Sequence, residues 1–197
     1  MPVPLPSRPQ KLTRLAAAAV ITLVAGPWSA AAAPASVPTV VPSVDLSRYA
    51  GRWYEIARYP NRFQKQCVSD VTAEYVLQPD GRITVINRCR RADGTWDEAK
   101  GVARRAGADT SNAKLEVRFA PAFLSFLPVW GDYWVMDLAP DYSHAIVGSP
   151  DRKYLWVLAR GANDPALLGR LEPTIRALGF DPGQLQPTRH AGAGGDR

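Results

Sequence analysis

The chain has 197 residues, 46% of them hydrophobic and 21% charged, with 24 Lys and Arg against 18 Asp and Glu. These proportions belong to a globular protein with a sizeable core and exclude a disordered or fibrous chain. The net charge of +6 is not gathered into a basic run, which excludes the electrostatic footprint of a nucleic-acid binder.

The opening MPVPLPSRPQKLTR carries Arg8, Lys11 and Arg14 and no acid. The apolar run LAAAAVITLVAG follows, then small residues that include Ala31-Ala32-Ala33. This order describes a secretory signal peptide over residues 1–33, because the run is shorter than the about 20 residues that span a bilayer. Its removal leaves 21 basic residues against 18 acidic ones, a net +3. No Cys directly follows the run, the first being Cys67. The expectation is therefore an exported protein, periplasmic or secreted, soluble and without an outer-membrane lipid anchor. Residues 34–43 are rich in Pro and Val and read as an extended linker.

From Gly51 to Arg160 the chain punctuates itself as strands. GRWYEIARY is rich in aromatic and β-favouring residues. VTAEYVLQPDGRITVINRCR is a pair of strands around Pro79-Asp80-Gly81, a hairpin signal. DEAKGVARRA, AKLEVRFA, GDYWVMDLA, SHAIVGS and YLWVLARG complete eight strands at short, even spacing. Such spacing indicates an all-β sandwich or barrel. FAPAFLSFLPVWGDYW divides within this scheme: Pro121 and Pro128 argue against a strand, so Pro121 to Trp130 is a connection. After Arg160 the period changes. Asn163-Asp164-Pro165 starts a helix over about 164–178, with Leu167, Leu168, Leu171, Ile175 and Leu178 on one face and Gly179 as its stop. Gly169 and Pro173 inside it predict a kink or a two-piece helix. AGAGGDR ends a tail, residues 188–197, expected to be disordered.

Closure into a barrel removes strand edges, and eight antiparallel strands enclose room for one small ligand. The alternation places Val71, Ala73, Tyr75, Leu77, Ile83, Val85, Leu115, Val117 and Phe119 inward without a charge among them. A packed core and a lined cavity both satisfy that pattern.

The run Gly51-Arg52-Trp53-Tyr54-Glu55-Ile56-Ala57 resembles the first signature of the lipocalins. Asp132-Tyr133 resembles the second, and Arg160, closing YLWVLAR, the third. NRFQKQC, PDGRITVINRC, PDRKYLWVLAR and LGFD are similar to the bacterial lipocalin and apolipoprotein D subgroup. The resemblance covers about residues 44–187. It implies an all-β fold with one C-terminal α-helix, an eight-stranded antiparallel up-and-down β-barrel forming a calyx. It implies structural roles for Gly51, Trp53, Asp132, Tyr133 and Arg160, with the Arg160 guanidinium across the Trp53 ring. It also implies that Cys67 pairs with Cys89, and an even cysteine count in an exported chain points the same way.

The implied function is the binding and transport or storage of a small hydrophobic ligand, a fatty acid or lysophospholipid, without a cofactor or metal. The expected calyx lining is Glu55, Ala73, Tyr75, Val85, Asn87, Val117, Tyr133, Val135, Ile146 and Trp156. Glu55 reads either as a carboxylate satisfied by protein donors or as a contact to a ligand head group. Phe123, Leu124, Phe126, Leu127 and Trp130 form an expected apolar rim at the mouth. That rim would cap the ligand, touch a membrane peripherally or mediate a weak homodimer of an otherwise monomeric protein, or fold inward as a plug. His144, at the start of the seventh strand, is too isolated for a zinc site, His190 beside the tail reads as inert, and the chain carries no H-x-x-H, CxxC or G-x-S-x-G. Not an enzyme is therefore the expectation. The rival readings are a thiol-dependent isomerase using a free luminal cysteine, and a surface interaction protein with a filled barrel.

Overall fold

The architecture begins with one capped helical turn, α1 (Leu46–Tyr49). Asp45 Oδ1 accepts from the peptide N–H groups of Ser47 at 2.9 Å and Arg48 at 3.3 Å, which relieves the unpaired donors of the turn. The chain then reverses into β1 (Gly51–Arg58) at Gly51, whose φ of +89° needs a residue without a side chain. This computed structural model describes residues 37–119 and 130–191. The expected signal peptide and the rim residues Phe123, Leu124, Phe126 and Leu127 lie outside them.

Seven further strands follow: β2 (Ser69–Leu77), β3 (Ile83–Arg90), β4 (Trp96–Arg105), β5 (Lys114–Arg118), β6 (Gly131–Leu138), β7 (His144–Gly148) and β8 (Leu155–Ala159). Each pairs antiparallel with its neighbour in sequence, and β1 pairs with both β8 and β2, so the sheet closes into a barrel. In such a meander alternate connections share an end. The β1–β2, β3–β4, β5–β6 and β7–β8 connections lie at one end of the barrel and the others at the opposite end with α1.

The α1 end is shut. Val44 N–H donates to Ser111 O at 2.8 Å, Asn112 Nδ2 donates to Val44 O at 3.1 Å, and Arg48 Nη2 donates to Pro140 O at 3.0 Å. The expected linker is docked over its described part: Val40 and Val41 pack on the barrel core, and Val41 N–H donates to Val135 O. Two apolar clusters sit on the two faces of the sheet. The inner one holds Trp53, Tyr75, Val85, Leu115, Val135, Val147 and Leu158. The outer one packs Ile56, Met136, Ile146, Leu155 and Val157 against the helix α2 (Leu167–Ala177) through Leu167, Leu171 and Ile175.

Three sequence expectations are corrected. Of the kink or two-piece helix expected from Gly169 and Pro173, the two-piece form does not occur: the helix is one element of 11 residues with Pro173 inside it. Residues 164–166 form the turn before it, in which Asp164 Oδ1 accepts from Ala166 N–H. Its end is the one expected: Gly179 at φ +83° is followed by Phe180 N–H donating back to Ile175 O. The tail is not free from residue 188. A short strand β9 (Gln186–Pro187) pairs with Ala57 and Arg58, just where β2 stops pairing with β1. Thr188 N–H then donates to Ile56 O, and Asp70 N–H donates to Arg189 O. The segment thus fills a gap in the β1–β2 seam. Ile146 belongs to the outer cluster under α2, not to the calyx lining. β7 is buried on both faces, so its sequence carries no alternation to read.

Candidate functional site

The inside of the barrel is stratified from a filled floor to an accessible wall. At the floor Trp53 is fully buried and its Nε1 donates to Tyr49 O at 2.8 Å. The Arg160 guanidinium lies 4.0 Å from the Trp53 ring centroid. Its two terminal nitrogens donate to Arg52 O, Arg48 O, Tyr49 O and Ala50 O at 2.6–3.2 Å. One side chain therefore neutralises the C-terminal carbonyls of α1 and seals the ring beneath the lumen.

Above Trp53 the hydroxyls of three tyrosines meet. Tyr49 and Tyr75 Oη each lie 2.8 Å from Tyr133 Oη. Burial disfavours the phenolates: it lifts Tyr75 to about 12, and with the mutual repulsion of neighbouring phenolates it holds Tyr49 and Tyr133 well above the usual tyrosine value. All three are hydrogen-bonding hydroxyls, not acids or bases, at physiological pH.

The expected lining residues divide by height. Tyr75, Val85 and Val135 are buried in the inner cluster. Ala73, Asn87, Val117, Tyr133 and Trp156 are only half-buried although the barrel surrounds them, and apart from Asn87 they pack on that cluster. The β2–β3–β4 register sets Asn87 between Ala73 and Ala99, and among the described residues its amide has no hydrogen-bond partner. Several inward positions on these and neighbouring strands are small: Ala73 and Ala99 beside Asn87, Gly101 opposite Val85, and Gly131 opposite Val117. Gly101 is needed, since a Cβ there would fall 2.6 Å from the Phe119 ring.

Glu55 is buried, and the protein satisfies its carboxylate. Arg58 Nη1 donates at 2.6 Å, Gln64 Nε2 at 2.7 Å and Thr188 Oγ1 at 2.5 Å. Gln64 Oε1 in turn accepts from Trp156 Nε1 at 2.9 Å. The network ties β1 to the 3-10 turn Arg62–Gln64, to β8 and to the C-terminal segment. His190, expected to be inert, lies 2.7 Å from Glu55 O through Nε2 and stacks edge-on against Tyr54. Cys67 and Cys89 are disulfide-bonded and tie the first loop to the end of β3.

The open end carries exposed aromatic side chains with arginines over them. Phe63, Trp96 and Phe119 are exposed, Arg62 lies over Phe63 at 5.2 Å, and Arg90 over Trp96 at 4.3 Å. Trp130, the described member of the expected rim, is flanked by Arg104 at 4.0 Å and Arg118 at 4.6 Å.

Sequence reasoning missed Tyr49, Gln64, Thr188 and His190. Tyr49 had a weak signal, an aromatic two residues before the Gly51 turn. The other three meet Glu55 through loops whose path no periodicity reports. Among the described residues no three His, Cys, Asp or Glu side chains gather as a metal site.

Residues 44–190 match the model of a lipocalin-like domain. The outer membrane lipoprotein Blc of Escherichia coli K12 is 42% identical over 151 residues, covering 76% of this chain and 80% of that protein. Apolipoprotein D of Macaca fascicularis is 37% identical over 138 residues, 66% and 67% of the two chains. The solved structure of insecticyanin from the tobacco hornworm Manduca sexta superposes with a TM-score of 0.63 at 22% identity, covering 81% of this chain and 87% of that one.

Proposed function

This chain belongs to the lipocalin family, whose members bind small hydrophobic ligands, and from that premise we propose that it binds and carries or stores a fatty acid or lysophospholipid in an exported compartment. One observation carries the reading. The inner-face residues Ala73, Asn87, Val117, Tyr133 and Trp156 stay half-buried inside a closed barrel, which supports a lined space over a filled core. The same observation disfavours an interaction protein with a packed barrel. The isomerase reading needs a thiolate, and the Cys67–Cys89 bond leaves neither sulfur free for one.

Burial is the proposed source of affinity. Each methylene taken from water contributes about 0.8 kcal/mol, so a chain of about sixteen carbons has a gross term near 12 kcal/mol. Micromolar binding needs about 8 kcal/mol after the costs of association. The margin is of the right size without extensive polar recognition. Trp156 stands in the inner wall, so its fluorescence reports on occupancy. The exposed aromatics of the open end, with their arginines, suit peripheral contact with an anionic membrane from which a lipid is collected. The disulfide fits an oxidising compartment.

Native mass spectrometry of the purified protein is expected to show a co-purified lipid. Titration with long-chain fatty acids and lysophospholipids is expected to change Trp fluorescence saturably at micromolar concentration or below. Absence of saturable binding for both classes refutes the proposal.

A further inference from the structure

Three hydroxyls joined by two mutual hydrogen bonds hold one proton more than they need. Whichever atoms donate, the Tyr49–Tyr133 and Tyr75–Tyr133 contacts use two of the three O–H groups. The third has no acceptor among the described residues, and a donor left unpaired away from water is costly enough to be rare. Tyr133, the hub, is half-buried as a residue. A second unpaired group, the Asn87 amide, belongs to the same wall, and the small side chains of Ala73 and Ala99 flank it on the neighbouring strands.

The character of these groups limits what they can hold. They supply one hydroxyl donor, an amide and several free oxygen lone pairs, all uncharged. The nearest guanidinium, Arg160, lies across the Trp53 ring and directs its donors at four backbone carbonyls. A phosphate brought here would be a buried charge without a charged partner. An undissociated carboxyl or a hydroxyl is complementary, since it accepts the surplus proton and donates its own to a tyrosine oxygen.

We infer that the ligand enters polar end first, its single carboxyl or hydroxyl seated uncharged on the Tyr49–Tyr75–Tyr133 cluster with its hydrocarbon chain running up toward the open end. The inference rests on the ligand-binding reading above and sharpens it: the floor selects a fatty acid or fatty alcohol and leaves a lysophospholipid no place for its head group.

The test is carbon-13 NMR of carboxyl-labelled palmitic acid bound to the purified protein. The bound carboxyl is expected to keep the chemical shift of the undissociated acid up to about pH 7, as a carboxyl in an apolar donor site does. A signal that titrates like a solvated carboxyl, at about pH 4–5, overturns the inference while leaving ligand binding intact. Failure of palmitic acid and hexadecanol to bind overturns the inference, and it removes the ligand-binding reading as well only if lysophospholipids also fail to bind. A second measurement compares hexadecanol with hexadecane, which can neither donate nor accept. In the Tyr75→Phe/Tyr133→Phe variant the alcohol is expected to bind about tenfold more weakly and the alkane within about twofold of wild type. Should that variant not fold, Tyr75→Phe alone is expected to weaken the alcohol about threefold with the alkane unchanged. Equal effects on alcohol and alkane overturn the inference.

Discussion

Arg160→Ala tests whether the closed end is held by one side chain. The substitution removes four hydrogen bonds to the carbonyls of Arg48, Tyr49, Ala50 and Arg52 and the contact with the Trp53 ring. A hydrogen bond to a charged group contributes about 1.5–3 kcal/mol and an ordinary cation–π contact about 0.5–2 kcal/mol. These contacts share one partly exposed head group and do not add, so the expected loss is about 3 kcal/mol. For a chain of this size that lowers Tm by about 6–12 °C. Arg160→Lys is the informative companion. An ammonium keeps the charge but not the planar fork, so it cannot span carbonyls on both sides of the ring and recovers about 1 kcal/mol. Thermal melts and urea titrations of the three proteins decide the matter. A change below about 2 °C for Arg160→Ala, or full recovery in Arg160→Lys, refutes the reasoning.

Burial raises the folded Tyr75 to about 12 against an ordinary 10, so the folded state binds more protons than the unfolded one between those values. Stability is then fully present below pH 10 and falls as pH rises toward 12. Phenolate absorbance is expected to show Tyr49, Tyr75 and Tyr133 ionising only as the barrel opens. The disulfide closes a loop with a separation of 22 residues, and Cys67→Ala/Cys89→Ala is expected to cost about 3 kcal/mol in urea denaturation. Thr188→Val removes one of the three donors to the Glu55 carboxylate and is expected to cost about 1–2 kcal/mol. In that variant hydrogen exchange should quicken at Thr188 and Asp70, whose amides hold the C-terminal segment in the β1–β2 seam.

The sequence announced the barrel because its strands alternate cleanly where one face meets solvent. β5 is the plainest case: Leu115 and Val117 turn inward between Glu116 and Arg118. The pattern fails where both faces are covered. β7, enclosed by the lumen and α2, reads as continuous apolar sequence, and nothing in it tells that Ile146 faces α2. The signature residues were legible as positions but not as chemistry. Nothing in GRWYEIA states that the Glu55 carboxylate is met by Arg58, Gln64 and Thr188, because Thr188 arrives from 133 residues away. The same holds for the tyrosine cluster. Tyr75 and Tyr133 appear on inward faces by alternation, but only closure of the barrel brings Tyr49 of α1 up against Tyr133.

A single arrangement of side-chain sizes explains how the fold combines rigidity with room for a guest. Near the closed end the inward positions carry Trp53, Tyr75, Leu115, Val135 and Leu158, which fill the section and support one another. Elsewhere on the inner face the positions include Ala73, Ala99, Gly101 and Gly131, where the wall is half-buried to exposed. Larger side chains at these positions would add hydrophobic stability, and the small ones leave the wall less tightly packed. The compensation lies in the connections. The disulfide, the Glu55 network and the inserted C-terminal segment all brace the first loop and the β1–β2 seam. Weakening those braces should therefore loosen the wall around the ligand before it disturbs the floor. In hydrogen exchange, the amides of Ala57 and Asp70 should respond to Thr188→Val while that of Trp53 does not. Equal acceleration at all three would show that floor and wall open as one unit and that the division drawn here is wrong.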